Sequence, residues 1–461
     1  MLGLDLKRDE SSGLAEQLYL QLKELILGGR LEGGRRLPSS RELAGELAVL
    51  RNTVITAYER LAAEGFIESR AGALSKITSG LALEPGEDRN RPQLGAVKPK
   101  SRIKVDFKTG QPDLKLFPKH LWGKIMRQAV TNLPPEYFGY RQRAGYQPLR
   151  REIAAWLQRQ RGLKAAPEDI FICSGATAGL FLLTDLLYEG LPFAVENPSH
   201  PAIEAVLNLK GYPIRWAPVD ENGLNISQFN PEGLSAVYVT PSHQFPLGGI
   251  MDAARRTALI RLARKHDFFI IEDDYDSEFR YQGPPIGPLY SLDPSRVIYV
   301  GTFSKTLYPA LRIGFVILPQ SLQMPWLRRR KFFDVQNPVL EQAALAEFLR
   351  LGKMERHVRL MRGHYAAKRK AVLDAVAESF GNRARVLGDA AGLHLTLEVA
   401  GANFDQKYLD HCQAEGVRIS TLAAYCPGTL GHRDKLLLGY GHLSREDICY
   451  GVKVLAESLN S

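Results

Sequence analysis

The chain has 461 residues, a formal net charge of +10, and 45% hydrophobic and 24% charged residues. This length suits two or three domains, and the composition excludes a disordered or fibrous protein. We find no run of about 18 apolar residues and no apolar core of signal-peptide length, so we expect neither a transmembrane helix nor a leader.

The positive charge is not concentrated at the N-terminus, where residues 1–80 hold eleven Lys/Arg and eleven Asp/Glu. Nucleic-acid binding by this part must therefore depend on particular side chains. The cysteines have no metal-type spacing and predict free thiols in a reducing cytoplasm, without a metal site. They are Cys173, Cys412, Cys426 and Cys449.

Three helical patterns and a β-rich tail are predicted within residues 1 to about 80. The first helix has one apolar face and ends at Gly28, and the second is expected to start after Pro38 and Ser39. The apolar face of the first consists of Leu14, Leu18, Leu22, Leu25 and Ile26. The tail "GFIESRAGALSKIT" predicts a two-stranded wing that turns at Gly72.

The third helix, "RNTVITAYERLAAEGF", has a packing side and a polar side. The packing side consists of Val54, Ala57, Tyr58 and Leu61, and the polar side of Arg51, Asn52, Thr53 and Thr56. Such a polar side suits a recognition helix whose N-terminal residues meet base edges and phosphates. The alternative is a generic helical bundle with a polar outer face.

The stretch "LPSSRELAGELAVLRNTVITAYERLAAEGFIESRAG" resembles the winged helix-turn-helix of the GntR family of bacterial regulators. The resemblance implies binding to a double-stranded DNA operator through Arg41, Arg51, Asn52, Thr53 and the wing around Ala71 and Gly72. The chain departs from the family at Leu50, where Ser or Thr usually precedes the arginine, and at Ile55 and Ala71, where some relatives carry cations. We therefore expect a weaker electrostatic component, offset by dimerisation.

Residues 81–104 are rich in Pro, Gly and charge and predict a linker. From Val105 onward, short apolar runs alternate with amphipathic stretches, which predicts an α/β domain over 105–461. The runs are "FAVE" (193–196), "AVYVT" (236–240), "FFIIED" (268–273) and "VIYVGT" (297–302), typical of buried parallel strands. We expect a large subdomain over about 145–340 and a small one over about 341–461, together with the domain's N-terminal part.

The stretch "GTFSKTLYPALRIG" places Lys305 after an apolar strand and among hydroxyls. A lysine there suits an aldimine with pyridoxal 5′-phosphate, a cofactor that also needs a carboxylate, a phenolic partner, a stacking ring and a phosphate cup. Asp273 at the end of its strand would hold the pyridine nitrogen, and Tyr275 the phenolic oxygen. The phosphate cup is predicted from Gly175, Ala176, Thr177, Thr302, Ser304 and Arg312.

These motifs resemble fold type I aminotransferases and, more closely, the MocR-type subgroup of GntR regulators, in which a winged helix is fused to an aminotransferase-like domain. The matching motifs are "SGATAGL", "VTPSHQFPLGGIM", "IIEDDYDSEFRY", "GTFSKTLYPALRIG" and "VLEQAALAEFL". The resemblance implies a head-to-tail homodimer in which Tyr140, before "AGYQPLRREIA", reaches the neighbouring subunit's phosphate.

Three departures concern the site. The chain reads "ENPSH" where relatives carry "ENPGY", so His200 takes the place of the stacking ring. Leu437 stands where catalytic aminotransferases bind the substrate carboxylate with arginine, and Lys435 is two residues away. "YRQRAG" introduces Arg141 and Arg143, which are either contacts for an anionic effector or surface charges.

Three functions compete. The first is a regulator, not an enzyme, that senses pyridoxal 5′-phosphate or an amine or amino-acid effector through Lys305 and changes its DNA affinity. The second is an active aminotransferase with an appended DNA-binding domain. The third is a DNA-binding scaffold whose second domain only dimerises. The residues favour the first, because Leu437 removes the carboxylate arginine and a scaffold has no use for Lys305 or Asp273.

Overall fold

The computed structural model describes residues 2–7, 12–69, 73–83, 103–140, 143–427 and 431–460. Contacts divide the chain into two compact units, Met1–Pro99 and Lys100–Ser461. The predicted limits 1–80, 81–104 and 105–461 stay predictions, and most of the predicted linker lies outside the described residues. No described helix is both long enough and apolar enough to span a membrane.

The first unit contains three helices and an antiparallel strand pair. They are α1 (Leu14–Leu27), α2 (Ser40–Glu46), α3 (Arg51–Ala63), β1 (Ile67–Glu68) and β2 (Lys76–Ile77). The Ser39 side chain accepts from the Glu42 backbone N–H, and the Glu42 carboxylate accepts from Ser39 N–H, so a capping box starts α2. A core of buried side chains, among them Leu22 and Leu61, joins the helices. Ala71 and Gly72, the predicted turn, lie outside the described residues.

The second unit is built on an eight-stranded sheet. Its strands are β4 (Ile170–Cys173), β5 (Phe193–Asn197), β6 (Ile214–Asp220), β7 (Gly223–Leu224), β8 (Ala236–Val239), β9 (Phe269–Asp274), β10 (Val297–Thr302) and β11 (Gly314–Ile317). The order is β4-β11-β10-β9-β8-β5-β6-β7. The central strands β10, β9, β8, β5 and β6 are parallel, and β11 is antiparallel to both of its neighbours. The four predicted apolar runs form β5, β8, β9 and β10, which puts four parallel strands side by side.

A second, four-stranded sheet belongs to the C-terminal part. It contains β12 (Ala384–Leu387), β13 (His394–Val399), β15 (Ser420–Thr421) and β16 (Lys435–Gly439), in the order β12-β13-β16-β15. The remaining strands β3 (Val105–Asp106) and β14 (Val417–Arg418) pair with each other in parallel. The start of this unit is therefore joined to its C-terminal part.

Ten helices accompany these sheets in the described part of the second unit. They are α4 (Lys119–Asn132), α5 (Gln147–Arg161), α6 (Ala176–Leu187), α7 (Pro201–Leu209), α8 (Ala253–His266), α9 (Gln320–Phe333), α10 (Val339–Arg350), α11 (Lys353–Phe380), α12 (Gln406–Ala414) and α13 (Arg445–Glu457). Along α11, Met354 and Tyr365 pack into the core around the large sheet, whereas Val372 and Phe380 pack into the core of the small one. The predicted subdomain limit near 340 stays a prediction. Within α11, the packing passes from the core of the large sheet to the core of the small one.

Candidate cofactor site and DNA-binding surface

A cavity of about 160 Å³ lies at the carboxyl ends of β9 and β10. The parallel register aligns Val300 with Asp273, so Asp273 and the loop that carries Lys305 meet at one edge of the sheet. The cavity brings together most of the predicted cofactor residues. Its lining includes Ala176, Thr177, His200, Asp273, Tyr275, Thr302, Ser304, Lys305 and Arg312.

Asp273 is buried and only half satisfied. Its Oδ2 accepts a 2.6 Å hydrogen bond from the Tyr238 hydroxyl, whereas its Oδ1 has no partner among the described residues. Burial raises the pKa of Asp273 to about 6, although the Tyr238 hydrogen bond opposes the rise. A buried carboxylate oxygen without a donor is costly, so this arrangement favours a cationic N–H partner in the cavity.

Lys305 is close to Gly110, a residue far away in sequence. Its Nζ donates a 2.9 Å hydrogen bond to the Gly110 carbonyl. Gly110 has φ +68°, a conformation that favours glycine, and a Cβ there would lie 2.7 Å from Nζ and displace the amine. Burial lowers the pKa of Lys305, partly offset by Asp276 and Asp273. The neutral amine that burial favours is the nucleophilic form.

A polar cup surrounds the turn between β4 and α6. Gly175 has φ +87°, and a Cβ there would lie 2.7 Å from Arg312 Nη2. The same Nη2 donates a 2.7 Å hydrogen bond to the Ser174 carbonyl, which holds the guanidinium over the first turn of α6. The free N–H groups at this helix start and the Arg312 charge suit a phosphate. Thr302 and Ser304 line the same cavity, and Thr302 Oγ1 donates to Ser304 Oγ at 3.0 Å.

His200 and Tyr275 bring two rings to the cavity. His200 is the N-cap of α7, where its Nδ1 accepts a 3.1 Å hydrogen bond from the Ala202 N–H, and its ring lies 5.1 Å from that of Phe245. Desolvation by the surrounding protein and, to a smaller extent, the charge of Lys305 lower the pKa of His200 to about 4. The imidazole is therefore favoured in its neutral form. The Tyr275 hydroxyl donates a 3.0 Å hydrogen bond to the His243 carbonyl.

Sequence reasoning assigned no role to several side chains that surround these groups. Tyr238, Thr240 and Phe245 line the cavity, and His243 and Asp276 lie behind Tyr275. A hydroxyl inside the apolar run "AVYVT" was a usable signal for Tyr238, because a buried tyrosine needs a partner. His243 and Asp276 gave no comparable signal, since their proximity depends on the tertiary fold.

The remaining predicted residues that the structure describes lie outside the lining of this cavity. Tyr140 is 83% exposed, Arg143 is exposed, and Arg141 lies outside the described residues. Leu437 is fully buried in β16, opposite Thr396. Lys435 is bound to Glu398 Oε1 at 2.6 Å and to Asp434, so it does not replace the missing arginine.

The predicted DNA contacts outside the wing lie on α2 and α3 of the first unit. Arg41, Arg51, Asn52 and Thr56 are exposed and Thr53 is half-buried. Arg51 Nε donates a 3.2 Å hydrogen bond to Ser40 Oγ, which links the starts of α2 and α3. Leu50 is the N-cap of α3, and its apolar side chain cannot accept a capping hydrogen bond. This side chain is 79% exposed.

Comparison with known proteins identifies both units. Residues 14–73 match the family model "Bacterial regulatory proteins, gntR family", and residues 102–430 match "Aminotransferase class I and II". The chain is 32% identical over 477 residues to the probable rhizopine catabolism regulatory protein MocR of Rhizobium meliloti, covering 99% of this chain and 95% of that one. The chain belongs to the MocR-type subgroup of GntR regulators. The predicted family and its DNA-binding regulator class are thereby confirmed.

Two further relatives of this MocR-type regulator are informative. The pyridoxine biosynthesis transcriptional regulator PdxR of Corynebacterium glutamicum is 32% identical over 457 residues, covering 99% of this chain and 97% of that one. The kynurenine aminotransferase of Pyrococcus horikoshii matches with a TM-score of 0.71 and 26% identity over 78% of this chain and 91% of that one. The predicted fold, a winged helix-turn-helix joined to a fold type I aminotransferase domain, is confirmed.

Proposed function

We propose that this regulator binds pyridoxal 5′-phosphate in the cavity at Lys305 and uses the loaded site to control its affinity for an operator. When bound, the cofactor supplies an aldehyde that reacts with primary amines and a ring that withdraws electrons. The observation that carries the proposal is the buried, unpartnered Oδ1 of Asp273, which a protonated ring nitrogen would satisfy.

The other residues fit the same group. Lys305 would hold the aldehyde carbon. Tyr275, whose hydroxyl proton points to the His243 carbonyl in this structure, would turn that proton to the phenolic oxygen. The turn at Gly175 and the Arg312 guanidinium would bind the phosphate. His200 would cover the ring as a neutral imidazole.

We infer that the site senses and does not turn over substrate. A catalytic aminotransferase needs a cation for the substrate carboxylate, whereas Leu437 is buried and Lys435 is already paired. The signal is therefore pyridoxal 5′-phosphate itself or an amine without an ordinary α-carboxylate. The name of PdxR refers to the biosynthesis of pyridoxine, a compound with the same pyridine ring as pyridoxal 5′-phosphate, which supports the first choice.

The proposal extends to assembly and location. The exposed Tyr140 fits a contact with the phosphate of a second subunit in a head-to-tail homodimer. A dimer places two winged helices on one operator. Binding to two half-sites then compensates for the weak electrostatic attraction between each winged helix and the DNA. A regulator of this kind acts in the bacterial cytoplasm, where its DNA is.

An absorbance titration tests the proposal. We expect the purified protein to develop a visible band with pyridoxal 5′-phosphate, Lys305→Ala to lose the band while remaining folded, and Lys407→Ala, an exposed lysine on α12, to keep it. A Lys305→Ala protein that retains the band would sink the assignment. Repeated conversion of an amine and a 2-oxo acid would establish the competing aminotransferase.

A further inference from the structure

His243 is a buried side chain next to the cavity that the proposed function does not yet use. It follows β8 in sequence and is 2% exposed. Its Nδ1 lies 3.0 and 3.2 Å from the two carboxylate oxygens of Asp276, and its Nε2 lies 3.2 Å from the Gly388 carbonyl. The Asp276 carboxylate faces Nδ1 and a backbone carbonyl faces Nε2, so the surroundings favour a proton on each ring nitrogen.

The charge of this ring has a clear source. Burial disfavours a charged His243, but the Asp276 carboxylate outweighs burial and raises the pKa of the imidazole. The two side chains therefore form a buried, hydrogen-bonded ion pair at 3.0 Å.

Two groups of His243, its ring Nδ1 and its backbone carbonyl, contact the Tyr275 hydroxyl. The hydroxyl donates to the His243 backbone carbonyl at 3.0 Å, and its oxygen lies 3.1 Å from His243 Nδ1. The rings of His243 and Tyr275 are stacked at 5.9 Å. The phenol is thus fixed in orientation where it enters the cavity that Lys305 lines.

The C-terminal part of the unit closes over the pair. A Cβ at Gly392 would collide with both Asp276 and His243, so only glycine allows this close approach. The Gly392 carbonyl accepts hydrogen bonds from the Tyr281 hydroxyl at 2.7 Å and the Tyr440 hydroxyl at 2.9 Å. The Gly388 and Gly392 backbone therefore packs closely against the His243 ring.

We propose that His243, held between Asp276 and the Gly388 carbonyl, is a positioning residue whose Nδ1 holds the Tyr275 oxygen, so that the hydroxyl proton can turn from the His243 carbonyl to the phenolic oxygen of the bound cofactor. A donor at that oxygen stabilises its anion and lowers the proton affinity of the nitrogen at Lys305. This inference rests on the proposed binding of pyridoxal 5′-phosphate and assigns a further residue to that site. The titratable and charged groups that surround Tyr275 and His243 are Glu196, His200, Tyr238, Asp273, Asp276, Arg280, Lys305 and His394.

The experiment is a pH titration of the visible absorbance of the cofactor-loaded protein. We expect His243→Ala to raise the pH midpoint by about one unit, a tenfold change in proton affinity. His243→Asn, whose amide keeps a donor near the Nδ1 position, should restore most of the wild-type midpoint. The control His411→Asn changes an exposed histidine on α12 and should leave the midpoint unchanged.

A double variant separates positioning from simple electrostatics. Tyr275→Phe should raise the midpoint as His243→Ala does, and the two together should add nothing further. An unchanged midpoint in His243→Ala, or a further rise in the Tyr275→Phe background caused by the unpaired Asp276 charge, overturns the proposal. His243→Leu, which keeps volume in the core, serves if His243→Ala does not fold.

Two controls keep this inference distinct from the function on which it rests. Failure of the wild-type protein to bind the cofactor would refute the proposed function itself. The atoms of His243, Asp276 and His394 are also close enough to share a metal ion, so the zinc content of the purified protein must be measured. One zinc per chain would replace the proton between these groups and overturn the positioning role.

Discussion

Replacing Gly175 with alanine tests the phosphate cup where it is most constrained. Gly175 has φ +87° and ψ 167°, a conformation that is essentially open to glycine alone and costs other residues about 1–3 kcal/mol. The added Cβ would also lie 2.7 Å from Arg312 Nη2 and 2.9 Å from its Cζ. The guanidinium must then leave its 2.7 Å hydrogen bond to the Ser174 carbonyl.

We expect two measurable losses from Gly175→Ala. Denaturant unfolding of the cofactor-free protein should show a stability loss of about 1–3 kcal/mol from the backbone alone. The Kd for pyridoxal 5′-phosphate should rise about tenfold to a hundredfold, because a charge-assisted hydrogen bond from the displaced Arg312 is worth about 1.5–3 kcal/mol. A fluorescence titration of the purified protein measures this Kd.

Gly190→Ala is the matched control. Gly190 has φ +83°, but a Cβ there meets nothing within 4 Å, so this variant suffers backbone strain without the collision. It should lose stability and keep the wild-type cofactor affinity. If Gly175→Ala binds the cofactor as tightly as Gly190→Ala does, the turn before α6 is not the phosphate cup.

Two more changes test the other ends of the proposal. The pKa of Asp273 is raised from 3.8 to about 6 in the folded protein, so the native state holds this proton more tightly than the unfolded chain and loses that stability as pH rises from about 4 to 6. The free energy of unfolding of cofactor-free Asp273→Asn should therefore exceed that of the wild type at pH 7 by up to about 3 kcal/mol and equal it below pH 4. The variant should also bind the cofactor more weakly. Equal stability of the two proteins at both pH values would contradict the burial argument. Arg51→Ala should weaken operator binding and reduce its salt slope by about one in a mobility-shift series, with cofactor affinity unchanged; loss of both activities would mean that the two sites are not separate.

The strands and the residues nearest the reacting atoms could be predicted from the sequence, because both leave local patterns in it. The apolar runs predicted β5, β8, β9 and β10, and Asp273 and Lys305 follow directly from their position at strand ends. The antiparallel β11, which separates β4 from the parallel strands, has the same apolar pattern as its neighbours. Strand direction depends on the path of the connecting chain, which local composition does not record.

The surroundings of the cavity were harder to foresee for the same reason. Gly110, the acceptor of the Lys305 amine, is 195 positions away in sequence. The pair of His243 and Asp276 joins residues from different loops, and its closure by Gly392 comes from a third. Contacts of this range are made by the assembled fold and have no signature in the spacing of the residues.

The path of α11 has a consequence for how the second unit unfolds. This single helix has 28 residues and is therefore about 42 Å long. Its first half is packed by the core of the large sheet and its second half by the core of the small one. If one core melts, the half of α11 that packed against it loses that packing. An unpacked helical segment of that length is marginal on its own. The two cores are therefore linked in cooperativity, and residues 100–461 should lose their structure in a single transition.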